Sequence, residues 1–323
     1  MKIYRRVEDI VEPFANACVT IGNFDGVHLG HQMLFAEVAD RAHKRKGTSL
    51  AITFEPHPLR ILRPGGIKLI SSCEQKIELI RMAGIDVLLI VPFTLEFAST
   101  SAEHFVDDIL IRRIGVKELV VGYDYAFGKG RTGDISFLRE QGKAKGFPVA
   151  VVEAYYLDDI LVSSTKIRQL VAEGQMEEAR RLLGRPYQIR GEVQVGKQRG
   201  GKEVGFPTAN LKVDSDDLVP KHGVYVSQVI CEGRCYGGVL NIGHNPTFGG
   251  QDLVAETHIF DFNRDIYGKP IKVNLLKFLR SEQKFSGVDE LAAQIGKDVI
   301  LAKKVLAEQQ KELMITCGED LHV

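Results

Sequence analysis

No excess of either charge marks this chain: over 323 residues, Lys plus Arg number 42 and Asp plus Glu number 42. A general nucleic-acid binder usually carries a strong basic surplus, so the balance argues against that class. Cysteine is sparse, and the five residues Cys18, Cys73, Cys231, Cys235 and Cys317 show no disulfide-framework spacing. Cys231 and Cys235 form a lone C-x-x-x-C with no second pair, which reads as strand residues rather than metal ligands. The N-terminal segment MKIYRRVEDI holds no apolar signal region, and no apolar run reaches membrane length. Repeats and low-complexity tracts are also missing. The expectation is a soluble, cytoplasmic protein that engages neither membrane nor nucleic acid; its oligomeric state is not legible.

What is present is an ordinary globular composition, 44% hydrophobic and 26% charged, in a length that suits two domains. Up to about residue 183, apolar strands alternate with amphipathic helices. Strands are expected at Cys18–Ile21, Ser49–Phe54, Val87–Pro92, Glu118–Gly122 and Val149–Val152. Helices are expected at Gln32–Lys46, Glu74–Ala83, Ala102–Ile114 and Ile135–Lys145, followed by two short ones at Ser164–Glu173 and Met176–Leu183. Alternation of this kind predicts a parallel sheet with helices on both faces. Gly184-Arg185-Pro186 marks a break, placing a first domain at 1–183 and a second at 184–323. Beyond it, Tyr187–Val195, Val224–Glu232, Arg234–Asn241, Glu256–Phe262 and Ile271–Phe278 read as strands between Gly, Asn and Asp turns. Helical periodicity returns near Val288. The fold class is therefore α/β plus all-β: a parallel α/β domain, then a small antiparallel β-barrel closed by a C-terminal helix.

Residues Gly22 to Gln32, GNFDGVHLGHQ, lie where the first strand turns into the first helix. A helix start presents unpaired N–H groups and partial positive charge, a natural anion site. Gly22, Gly26 and Gly30 would let the backbone approach a phosphate without a Cβ in the way. His28 and His31 can point at that same phosphate. A zinc site is the rival for two histidines, but no third ligand stands nearby. Val162 to Arg168, VSSTKIR, opens a later helix; an N-cap explains one hydroxyl but not three followed by Lys166 and Arg168. Tyr123 to Asp134 follows a strand and brings glycines, aromatic rings and cations to a loop suited to ligand contact. In the second domain, Gly196 to Asn210, GKQRGGKEVGFPTAN, suits a loop wrapping polyphosphate. If extended, it sets Thr208 and Asn210 on one face, two neutral oxygens for a hard cation such as Mg²⁺.

The His-x-x-His stretch resembles the HxGH signature of nucleotidylyltransferases, whose fold is dinucleotide-binding-like α/β. Val162 to Arg168 resembles the ISSTxIR segment that accompanies it. By that likeness Ser164, Thr165 and Arg168 would hold a triphosphate with His28 and His31, and Gly22, Phe24, Asp25 and Gly30 would belong to the ATP site. Tyr123, Asp124 and Phe127 would contact flavin or nucleotide. HxGH is also similar to the HIGH motif of class I aminoacyl-tRNA synthetases, but those carry a KMSKS-like loop where this chain has SSTKIR. The barrel resembles riboflavin kinase, with GFPTAN at Gly205–Asn210 and ETHIF at Glu256–Phe260, followed by Asp261 to Val273. Taken whole, the chain resembles the bacterial bifunctional riboflavin kinase/FMN adenylyltransferases, also called FAD synthetases.

The resemblance implies two ATP-dependent steps, riboflavin to FMN in the barrel and FMN to FAD in the α/β domain. ATP, riboflavin, FMN and FAD are then substrates and products, and Mg²⁺ the required ion. It implies Gly196, Lys202, Thr208 and Asn210 for ATP, with Thr208 and Asn210 holding the metal, and Arg264 and Arg280 near flavin. It makes Glu256 the base that takes the proton from the ribityl hydroxyl; a primary alcohol is a poor nucleophile, and a positioned carboxylate assists it. Lys202 stands where the family usually has Arg, keeping the charge but losing the bidentate fork. Two other readings stay open. The α/β domain could act on another phosphate-bearing substrate, or the chain could bind flavin as a regulatory module without turnover.

Overall fold

The computed structural model describes residues 1–194, 205–214, 216–244 and 253–319. They divide into two compact units, Met1–Ser164 and Thr165–Val323.

The first unit is built on six parallel strands: β1 (Lys2–Tyr4), β2 (Ala17–Ile21), β3 (Ser49–Glu55), β4 (Val87–Pro92), β5 (Val116–Gly122) and β6 (Val149–Val152), in the order β1-β4-β3-β2-β5-β6. The strands read as continuous apolar runs because both sheet faces are covered. On one face Val19, Ile52 and Leu89 meet Phe105, Leu110 and Leu138. On the other, Cys18, Ala51 and Leu88 meet Phe35 and Val38 of α1 (Leu29–Lys44). From β2 the chain winds outward to β3 and β4, then returns to add β5 and β6 on the opposite side of β2. That reversal opens a crevice beyond the carboxyl ends of β2 and β5, where sheets of this type take their ligands.

The five expected strands are present, and β1 is an addition. Its three residues carry no buried position, so no apolar run announces it. Helix α1 starts at Leu29, three residues before the expected Gln32, because His28 caps it. The expected helix at 102–114 is a short α-helical turn, Ala102–His104, continued by a π-helix, Phe105–Ile114. Apolar spacing over so few turns does not separate these two windings. After β6, a hairpin (β7, Tyr156–Leu157; β8, Ile160–Leu161) leads to Ser164.

The second unit is a closed antiparallel barrel of β9 (Tyr187–Gln194), β10 (Ala209–Lys212), β11 (Gly223–Cys231), β12 (Arg234–His244), β13 (Leu253–Ile259) and β14 (Pro270–Arg280), ordered β10-β13-β12-β11-β14-β9. All nine residues of β11 are buried. Alternate side chains fill the interior, and the rest, such as Val224 and Val226, lie under Ala302 and Val305 of the C-terminal helix Val288–Glu319. The helix Met176–Leu183 packs on β9 and β14. Strand β10 was not expected: only Ala209 and Leu211 are buried, too short an alternation to register as a strand. Cys231 and Cys235 are strand residues, on β11 and β12. Cys18, Cys73 and Cys231 are free thiols.

Candidate active sites

The loop leaving β2 is fastened from three sides. Thr53 Oγ1, at the end of β3, donates to the Asn23 carbonyl at 3.1 Å. The buried Asp25 carboxylate accepts from the amides of Ile70 (3.0 Å) and Ser71 (3.2 Å), and the Gly26 amide donates to Ser71 Oγ at 3.0 Å. Ser164 Oγ donates to the Asp25 carbonyl at 2.9 Å, so the first serine of the STKIR helix sits against the HxGH loop. His28 is the N-cap of α1: its Nδ1 accepts the amide of His31 at 3.3 Å. The two imidazoles stack, centroids 3.6 Å apart and 18° from parallel. Two N–H-bearing rings and a helix start thus share one corner of the crevice, which suits polyphosphate.

The glycines also make room within the protein itself. A Cβ at Gly22 would lie 2.6 Å from the Phe24 ring, one at Gly26 (φ +81°) 2.8 Å from Ile70, and one at Gly30 3.3 Å from the His28 ring. Each makes room for the protein's own side chains, so the loop is compact before any ligand arrives. Phe24 is only 1% exposed and supports the edge of His31 at 5.3 Å, which takes its side chain out of ligand reach. Asp25 is likewise committed to loop 70–71, a segment to which the sequence reading gave no role. Tyr123 and Asp124 are exposed after β5. Phe127 turns inward instead, packing on Phe105 at 5.1 Å and stacking on Tyr125 at 5.6 Å. Thr165 is exposed and Arg168 half-buried, and Arg168 stands one helical turn from Ser164.

In the barrel, register brings the site together. Glu256 on β13 pairs with Asn210 on β10 and with Asn241 on β12. Directly paired residues share a sheet face, so the three form one row across three strands. A cavity of about 350 Å³ lies over this face and includes Thr208, Asn241, Glu256, Arg280 and Glu282 in its wall. Burial pushes the Glu256 carboxyl up from the ordinary carboxylate range. His258 Nδ1 lies 2.9 Å from the Pro207 carbonyl and ties the GFPT segment to β13.

Arg280 forks onto Asp298 of the C-terminal helix at 2.7–3.1 Å, and Gln294 braces that carboxylate at 2.9 Å. Arg264 is not in this wall. It reaches Glu232 (2.9 Å) and the Tyr236 hydroxyl (2.7 Å) beside the β11–β12 turn, at the far end of β12 from Asn241. Gly196 and Lys202 lie outside the described residues. Asn241, Glu282 and Asp298 were not singled out in the sequence. Each stands alone among ordinary residues, and only register or helix packing gathers them.

Residues 11–166 match the family model described as FAD synthetase, and residues 183–306 the model of riboflavin kinase. A bifunctional riboflavin kinase/FMN adenylyltransferase of Listeria monocytogenes is 38% identical over 286 residues, 88% of this chain and 90% of that protein. One from Escherichia coli is 36% identical over 307 residues, 94% and 97% of the two chains. A crystal structure from Streptococcus pneumoniae, described as a macrolide-efflux protein, is 32% identical with a TM-score of 0.84, covering 93% of this chain and 98% of that one. In the present chain no helix among the described residues is long and apolar enough to cross a membrane. Two family models in this order, and relatives alike along nearly the whole length, show that the chain belongs to the bifunctional riboflavin kinase/FMN adenylyltransferases.

Proposed function

We propose that the family's two reactions are divided at residues 183/184, riboflavin phosphorylation in the barrel and FMN adenylylation in the α/β domain. The observation that carries the reading is the row Asn210–Glu256–Asn241, whose Glu256 and Asn241 line the barrel cavity, with a burial-raised carboxylate at its centre. A carboxylate held above its usual range is a stronger base toward an alcohol proton. Glu256 takes the proton of the ribityl 5′-hydroxyl as its oxygen attacks the γ-phosphorus of ATP, and ADP leaves.

Thr208, in the cavity wall, and Asn210, beside Glu256, supply neutral oxygens on one strand face. That donor set fits a hard divalent ion which completes its shell with phosphate oxygens and water. Bound there, Mg²⁺ would draw charge from the transferring phosphoryl group. Arg280, held by Asp298, presents fixed positive charge to the same cavity.

In the α/β domain a phosphate oxygen of FMN attacks the α-phosphorus of ATP and pyrophosphate leaves. The nucleophile is already ionised, so the site needs alignment and charge stabilisation rather than a base. His28, His31 and the first amides of α1 supply donors, and Ser164, Thr165 and Arg168 complete the triphosphate site. Tyr123 and Asp124 form the side toward the flavin; Phe24 and Phe127 act only by packing.

Incubating the purified protein with riboflavin and Mg-ATP, then separating the flavins by chromatography, tests the reading. FMN should appear first and FAD after it. Folded protein that forms neither would overturn it.

A further inference from the structure

We propose that His258 positions Thr208 for the metal-bound polyphosphate of the kinase reaction, acting through the Pro207 carbonyl and touching neither metal nor substrate. The inference rests on the assignment of Thr208 and Asn210 as the oxygens that hold the metal.

Three observations lead there. First, regular pairing of β10 with β13 ends at Ala209 and Thr257. Phe206, Pro207 and Thr208 stand past that last pair, and Pro207 has no N–H with which to extend a ladder. Thr208 therefore needs another hold if its hydroxyl is to keep a fixed place beside Asn210. Second, carrying the register one step further sets Thr208 opposite His258, on the same face as Glu256. There the His258 Nδ1 lies 2.9 Å from the Pro207 carbonyl. A carbonyl oxygen only accepts, so Nδ1 bears the proton and is the donor. Third, the imidazole is itself held. It meets the Phe206 ring at 5.3 Å and 88°, and the Phe260 ring at 5.8 Å and 60°. Phe260 is buried in the cluster beneath the C-terminal helix.

The peptide bond carries the effect onward. The Pro207 carbonyl and the nitrogen and Cα of Thr208 lie in one plane. Fixing that oxygen fixes the plane from which the Thr208 side chain springs. A line of contacts thus runs from the barrel core through Phe260 and His258 to Thr208, and Phe206, Thr208 and His258 share the cavity wall with Glu256.

Full-length His258→Ala, His258→Phe and His258→Asn variants test this. The change to Phe keeps a ring against Phe206 and Phe260 but removes the donor. The change to Asn puts an amide nitrogen where Nδ1 stands and removes the ring. The readouts are the calorimetric affinity for ADP, with Mg²⁺ and with EDTA, and KM for riboflavin. The α/β domain is the same in every variant, so differences from the parent report the barrel. His258→Ala and His258→Phe should each weaken Mg-ADP binding about five- to tenfold, the loss expected for one hydrogen bond. His258→Asn should stay within about twofold of the parent. Metal-free ADP affinity and KM for riboflavin should stay within about twofold in all three, which also reports an intact barrel.

The proposal is overturned if His258→Phe binds Mg-ADP as the parent does, which would reduce the histidine to packing. It is equally overturned if metal-free ADP weakens in step, which would mean that the imidazole contacts the nucleotide, or if His258→Asn is no better than His258→Ala. Failure of the parent reading shows separately, as Mg-ADP binding that survives Thr208→Ala. Binding lost in Thr208→Ala but kept in His258→Phe sinks this inference alone.

Discussion

In the proposed assignment the mouth of helix α1 and the outer face of the barrel both serve attack on a phosphorus atom of ATP, and they are chemically opposite. Around His28, among the described residues, stand amides, hydroxyls and an imidazole, and the buried Asp25 carboxylate is turned onto the amides of Ile70 and Ser71. Around Glu256 a carboxylate is left within the cavity, raised by burial. The difference follows from the acceptors. A phosphate oxygen arrives ionised and would be repelled by a free carboxylate, whereas an alcohol arrives with a proton that must be removed. Where the carboxylate goes therefore distinguishes the two reactions better than any phosphate-binding feature does.

The sharpest way to break this contrast is to neutralise the carboxylate. Glu256→Gln should lower riboflavin phosphorylation by about 10²- to 10⁴-fold, with FMN adenylylation unchanged when each is assayed from its own substrate. The reciprocal change, His28→Ala with His31→Ala, removes two donors to developing charge. It should lower adenylylation by about 10²- to 10³-fold and leave phosphorylation intact. Equal damage to both reactions by either variant would mean that the sites are not divided as proposed.

The same contrast has a pH signature. A base works only when deprotonated, and burial moves the Glu256 carboxyl upward. The acid limb of kcat for phosphorylation should accordingly lie above the ordinary carboxylate range, and the adenylylation profile should lack that limb. Coincident limbs would assign the titration to something the two reactions share.

A smaller effect tests how the barrel site is held. The side chains of Arg280 and Asp298 are 17% and 6% exposed. Asp298→Ala leaves a largely buried guanidinium without its partner, which costs about 3 kcal/mol. The urea midpoint of the barrel should fall, and riboflavin phosphorylation should weaken more than adenylylation.

How much of this was readable depends on the element. The α/β strands are legible because burial on both faces writes unbroken apolar runs such as Cys18–Ile21, and the barrel strands because turn residues punctuate them. β10 is not legible, since four residues with two buried leave no period to detect. The motif residues His28, His31, Ser164, Thr208, Asn210 and Glu256 sit in dense, recognisable strings. Asn241 and Glu282 do not: only strand register and the course of the chain bring them to the cavity wall. Phe24, Asp25 and Phe127 show the converse. They stand inside motifs yet face the core or another loop, because a tight loop consumes some of its own residues in holding its shape.

That last point sets up the smallest and most discriminating change, Gly30→Ala. Gly30 lies in the first turn of α1, where alanine is the better helix former by up to about 1 kcal/mol. Stability should therefore rise slightly or stay level. The new methyl would nevertheless lie 3.3 Å from the His28 ring, closer than an ordinary contact, with Tyr155 at 3.7 Å on its other side. The ring has to yield by a few tenths of an ångström, and its stack on His31 yields with it. If the imidazole pair acts by alignment, adenylylation should drop several-fold while the melting temperature does not fall and phosphorylation is untouched. Opposite signs for stability and activity at one methyl group would separate positioning from packing. An unchanged adenylylation rate would mean that the stacked geometry of His28 is not what the reaction uses.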